Sequence, residues 1–189
     1  RGPGIVEALE VVTGSDGPVL VLEHLPGLAL QEWVAAQRPS VDSFLEVALR
    51  LTKALQCIHA AHLLHRDVRP EHVWVDPVTL RTHLIGLGLA RPFGAAATDG
   101  LAPGALIEFA GLPRYIAPEQ TGRMGRGIDP RSDLYALGAT FYFALAGVPP
   151  FEGSDALALI QAHMARTPIP LLERRPDIAP TLACIELKL

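Results

Sequence analysis

His65-Arg66-Asp67-Val68-Arg69-Pro70-Glu71-His72 is the stretch whose reading decides the fold. It crowds cations, carboxylates and imidazoles between two apolar runs, Leu63-Leu64 and Val73–Val75. Upstream, Ser43-Phe44-Leu45-Glu46 has capping-box spacing, and Leu45, Ala48/Leu49, Thr52, Leu55 and Ile58/His59 recur at helical period, which predicts a long helix with that face buried. Downstream, Val73–Val75 and Thr82–Ile85 are brief β-branched or apolar runs that read as short strands. The charged stretch is therefore an irregular loop between a long helix and a short strand.

Working outward, Ile5–Val12 and Pro18–Leu22 flank the turn formers Thr13-Gly14-Ser15-Asp16-Gly17 and read as a hairpin. A short helix follows around Leu30–Ala36, stopped by Arg38-Pro39-Ser40 because proline disfavours helix at the residue before it. Residues 91–114 combine glycine, proline and alanine with no usable period, the mark of a functional or mobile loop. Helical spacing returns at Asp133–Leu145 and at Asp155–Ala165, where Ser154 or Asp155 is placed to cap, and a third helix starts near Pro180. Strands first and helices afterwards indicate an α+β fold. Arg1-Gly2-Pro3-Gly4 carries neither initiator Met nor signal sequence, and the apolar end Cys184–Leu189 lies mid-helix without a cap, so the expectation is a domain truncated at both ends.

With 189 residues, 49% of them hydrophobic, the chain can bury one sizeable core and reads as a single domain, 1–189. A net charge of -4 offers no basic footprint for nucleic acid or an anionic membrane, and no stretch is long and apolar enough for a membrane segment. Cys57 and Cys184 form no CxxC pair and sit in apolar helical segments, which suits reduced thiols and a cytoplasmic location.

The stretch 65–72 resembles the catalytic loop H-R-D-L-K-P-x-N of protein kinases. Three further landmarks follow in that family's order: Gly86-Leu87-Gly88 where D-F-G belongs, Ala117-Pro118-Glu119 as A-P-E, and Ser132-Asp133-Leu134-Tyr135-Ala136-Leu137-Gly138 like its central helix. The resemblance implies a kinase-like fold with residues 1–22 as the last strands of the N-lobe, 23–29 as the hinge, and 30–189 as a mostly helical C-lobe with 89–117 as the activation-loop region. Glu119–Arg126, followed by Ile128-Asp129, is similar more narrowly to the kinase-like module of large bacterial signalling proteins in which an ATPase and a sensor histidine kinase follow. Those modules, and protein substrates, are the partners implied.

In the family pattern Asp67 accepts the substrate hydroxyl proton, Arg66 can bind a loop phosphate, and Arg69 stands for the lysine that steadies the transferred phosphate. His65 opens the loop, Leu87 and Gly88 complete the D-F-G site, and Glu23 and Leu25 lie in the nucleotide-binding hinge. Thr98 is the one Ser or Thr between Leu89 and Ala117, Glu119 has its family partner beyond Leu189, and Asp133 braces the catalytic loop. ATP and Mg²⁺ are the cofactors of an active enzyme, and a degenerate one needs neither. Two departures bear on that choice. Gly86 replaces the metal-holding Asp, and His72 replaces the metal-holding Asn with an imidazole ill matched to hard Mg²⁺. Leu112 lacks the hydroxyl of the family's threonine, and Trp74 stands where an aliphatic side chain floors the adenine pocket, so it either packs as core or fills part of that pocket. A pseudokinase acting as a regulatory or protein-binding module is the leading reading. An active Ser/Thr kinase and a non-catalytic nucleotide sensor are the alternatives.

Overall fold

Helices α2 (Val41–Ala60) and α3 (Pro130–Ala146) supply much of the core, α2 through one apolar face and α3 through most of its length. The computed structural model describes residues 2–14, 17–94, 113–122 and 127–186, with side chains through Ala183. The chain opens with an antiparallel hairpin, β1 (Ala8–Gly14) and β2 (Gly17–Leu22). After it come β3 (Leu28–Ala29), α1 (Leu30–Gln37) and α2, then β4 (Leu63–Leu64), β5 (Val73–Val75), β6 (Thr82–Leu84) and β7 (Arg91–Pro92). Strands β3, β5 and β6 form one antiparallel sheet in the order β3-β5-β6, and β4 pairs with β7. Short 3-10 turns cover Pro70–His72, Leu87–Leu89 and Pro118–Thr121. Beyond α3 lie α4 (Ala156–Ala165), α5 (Leu171–Arg174) and α6 (Pro180–Glu186). The architecture is α+β, as expected.

The long helix departs from the sequence reading in two respects. Its cap is Ser40, whose Oγ accepts from the Ser43 backbone N–H at 3.2 Å, so the helix begins before the capping-box serine. Its buried face is Phe44, Val47, Ala48, Leu51, Ala54, Leu55 and Ile58, whereas Leu45 and Leu49 are exposed. Apolar doublets at 44–45 and 48–49 admit two faces about 100° apart, and tertiary packing selects the other one. At α4 the cap is Asp155, accepting from Leu157 and Ala158.

The core gathers Leu30, Trp33 and Val34 of α1, the inner face of α2, Val68, Val73, Val75 and Leu84, and the inward residues of α3. Gly27, at φ 120°, lets the chain cross the end of β5, because a Cβ there would collide with the Val75 carbonyl. Residues 2–5 are fastened to the edge of β6, where the Leu84 N–H donates to the Gly4 carbonyl at 2.8 Å. Leu9, Val11, Val19 and Leu20 of the hairpin are more than half or about half exposed. In α6, Ala183 is buried in the core and Leu182 packs against it. Among the described residues no helix is long and apolar enough to cross a membrane.

Candidate functional site

The charged loop is held by the buried carboxylate of Asp133, in the first turn of α3. Its Oδ1 accepts from the Arg66 backbone N–H at 2.7 Å, and its Oδ2 accepts from the His65 N–H and from His59 Nε2, both at 2.8 Å. The loop needs this because Arg66 sits at φ 68°, a left-handed conformation that costs a non-glycine residue roughly 1–2 kcal/mol. The side-chain amide of Gln120 adds a bond to the Arg66 carbonyl at 2.8 Å. His65 is fully buried; its Nδ1 accepts from the Asp67 N–H, which leaves Nε2–H to donate to the Ile85 carbonyl at 2.9 Å. Burial holds His65 below the ordinary imidazole value.

Asp67, the central carboxylate, is partly buried, and burial pushes its carboxyl up while His72 and Arg69 pull it down. His72 Nδ1 lies 2.9 Å from the Asp67 carbonyl oxygen and 3.2 Å from Oδ2, and Arg69 Nε lies 3.5 Å from Oδ1. Gly86 completes the group. It adopts φ 82°, and a Cβ built there would stand 2.5–2.7 Å from three atoms of the His72 ring. The imidazole thus fills the volume that any side chain at position 86 would enter. The departures at positions 72 and 86 are one steric unit and not independent losses. Leu87 is 40% exposed, and Gly88 has open space where a Cβ would be.

Trp74 is half-buried and stands outside the core cluster, contrary to the core reading. Its Nε1–H donates to the Leu25 carbonyl at 3.2 Å, so the indole lies against the 23–29 segment. Glu23 turns toward the hairpin, where its Oε1 accepts from the Glu7 N–H at 2.8 Å. The structure therefore joins His65, Asp67, Arg69, His72 and Gly86, and separately joins Leu25 with Trp74. Thr98 and Leu112 lie outside the described residues.

Glu119 has a partner nearer than expected, for Ser132 Oγ donates to its Oε1 at 2.5 Å. A small cavity beside Asp67 is lined by Arg66, Arg69, Leu89, Pro113, Tyr115 and Gln120. Burial pushes the Tyr115 hydroxyl well above its usual value.

Below this segment, Tyr135 Oη and His163 Nδ1 lie 2.8 Å apart. Burial pushes His163 down to about 4 and Tyr135 up to about 12. Sequence reasoning missed this pair, although a histidine on the apolar side of a helix, beside Leu159, Ile160 and Ala162, must find a partner. A depressed folded value means the unfolded chain binds the extra proton first. Stability from this group is therefore present above about pH 6.5 and is lost as the pH falls toward 4, by roughly 3 kcal/mol. Urea unfolding at pH 7 and pH 4.5 should show a loss at least 1 kcal/mol larger in the native chain than in His163→Gln; equal losses would refute this assignment.

The chain matches the family described as Protein kinase domain over residues 1–181. It is 30% identical over 172 residues to the serine/threonine-protein kinase PknB of Mycolicibacterium smegmatis, covering 90% of this chain and 27% of that protein. A probable serine/threonine-protein kinase of Corynebacterium efficiens, CE0033, is 32% identical over 171 residues, 90% of this chain and 25% of its own length. The kinase pkn3 of Myxococcus xanthus is 29% identical over 195 residues, 98% of this chain and 35% of that protein. The chain spans about a quarter to a third of these relatives. On its loop, its central helix and this match over nearly its whole length, the chain belongs to the protein kinase family.

Proposed function

We propose that this domain is a pseudokinase, a kinase-like regulatory or protein-binding module within a larger bacterial signalling polypeptide, partnered by that polypeptide's ATPase and histidine kinase modules. The observation that carries the reading is the His72 ring seated over Gly86. In the kinase pattern an Asp at this position would hold Mg²⁺, which as a Lewis acid would supply several kcal/mol of transition-state stabilisation. Here that side chain is missing and its space is taken. The residues present fit Mg²⁺ poorly: Asp67 is engaged by His72 and Arg69, and an imidazole is a weak ligand for a hard, oxygen-seeking ion. Trp74 supports the same reading, because its indole occupies the hinge carbonyl of Leu25 and adds bulk to the floor on which a purine would lie.

An active Ser/Thr kinase is the second reading. It is favoured by the intact backbone frame around Asp67, with Asp133 and Gln120 fixing the loop as catalysis would require. In that case Asp67 would take the proton of a protein hydroxyl, and Arg69 would balance charge on the transferred phosphoryl group. A nucleotide sensor without turnover is the third reading, and slowed hydrogen exchange of the backbone amides around Leu25 on adding nucleotide separates it from the first. Phosphoryl transfer to protein hydroxyls by the full polypeptide, counted only as the part lost in Asp67→Ala so that turnover by the other modules cancels, is expected to sit roughly a thousandfold or more below ordinary kinase rates of about 1–100 per second. Turnover in that ordinary range, abolished by Asp67→Ala, would establish the active kinase instead.

A further inference from the structure

The face of α2 turned away from the core carries a feature unrelated to Asp67. Glu46, Leu49, Arg50 and Lys53 recur at helical spacing and, with Thr82 and His83 of β6, Arg81 just before that strand, and Pro3 and Gly4, line an open groove of about 530 Å³. That size lies within the range of roughly 300–1,000 Å³ typical of ligand-binding clefts. Its charge runs against the rest of the molecule. The chain carries a net -4, yet the groove presents Arg50, Lys53 and Arg81 against the single carboxylate of Glu46. Glu46 is already matched by Arg50, at 2.7 Å to both Nε and Nη2, so the exposed Lys53 and Arg81 are left in excess. Burial lowers His83, which adds no charge at neutral pH. Between the cations Leu49 is 59% exposed, an apolar side chain that the folded chain leaves in water.

We propose that this groove docks an acidic polypeptide segment bearing a branched apolar residue, whose carboxylates meet Lys53 and Arg81 while the apolar side chain seats on Leu49. An extended segment fits better than a compact anion. The cations stand on separate elements, a helix and a strand edge, and Arg50 is committed to Glu46, so they line a track and do not converge on one point. Asp76, held by the Val78 and Thr79 amides and by the Thr79 hydroxyl, lies on the Arg81 side. Its carboxylate offsets part of the Arg81 charge, so Lys53 carries the larger share of the attraction.

Fluorescence anisotropy with a short fluorescein-labelled peptide of glutamate, aspartate and leucine tests the proposal. Lys53→Glu and Arg81→Glu should each weaken binding about tenfold, equivalent to about 1.4 kcal/mol. Binding should fall with added salt, and Leu49→Ser should weaken it severalfold. A peptide with glutamine and asparagine in place of the acids should not bind. Both cations are exposed, so these variants should melt with the native chain; if one does not, Leu49→Ser and the uncharged peptide still decide. Unchanged affinity in both charge reversals overturns the proposal. So does equal binding by a leucine-free acidic peptide that inorganic phosphate displaces, which would mark a simple anion site. The readout is binding alone and is independent of whether the domain turns over ATP.

Discussion

Gly86→Asp, made alone, should destabilise the domain by about 2–5 kcal/mol and leave Mg²⁺-dependent turnover no higher than in the native protein. A Cβ at this position meets the His72 ring at 2.5 Å, and the ring cannot swing away without giving up its bonds to Asp67. Overpacking of that kind costs about 1–3 kcal/mol, and a left-handed φ of 82° adds roughly 1–2 kcal/mol for a residue with a side chain. His72→Asn clears the ring, so the double variant should recover at least half of the lost stability. It should also be the first of the series to gain turnover when Mg²⁺ is added. Urea unfolding of the native protein, both single variants and the double variant gives the coupling directly. A coupling below about 0.5 kcal/mol would show that the contact has no energetic weight.

Asp133→Ala should cost about 3–5 kcal/mol, because it deprives two buried backbone N–H groups and the His59 imidazole of their acceptor together. Asp133→Asn keeps one acceptor oxygen but turns an amide NH₂ toward a donor, and should fall between alanine and the native residue. Hydrogen exchange at the His65 and Arg66 amides should accelerate in step with the loss of stability. A loss below about 1 kcal/mol for the alanine variant, with those amides still protected, would mean that the loop is held by other groups.

The loop 65–72, the A-P-E turn and the central helix were legible because each is a local pattern, and their order alone was enough to give the fold. The face of α2 was not, because doublets such as Phe44-Leu45 satisfy a helical period in either phase and the choice belongs to what packs against the helix. The same limit applies at its start, where Ser40 and Ser43 both suit a cap and only Ser40 occupies it. In the site, the replacements at His72 and Gly86 could be read singly. Their interlock could not, since it arises from two segments brought side by side by β5 and β6. Trp74 was open between two fates, and its bond to Leu25 follows from the pairing of β3 with β5. The Tyr135 and His163 pair, 28 residues apart on different helices, left no local signal beyond a polar residue on an apolar face.

The Asp133 contacts also set a timetable for the growing chain. The loop amides of His65 and Arg66 leave the ribosome 68 and 67 residues ahead of their acceptor. At about 5–20 residues per second, synthesis holds them without it for roughly 3–14 seconds. During that interval water must satisfy both amides, and Arg66 has no partner to hold it in its left-handed conformation. Asp67 therefore gains its final orientation only when α3 docks, and a nascent chain that stalls before residue 133 carries the whole charged loop without the geometry that gives it meaning.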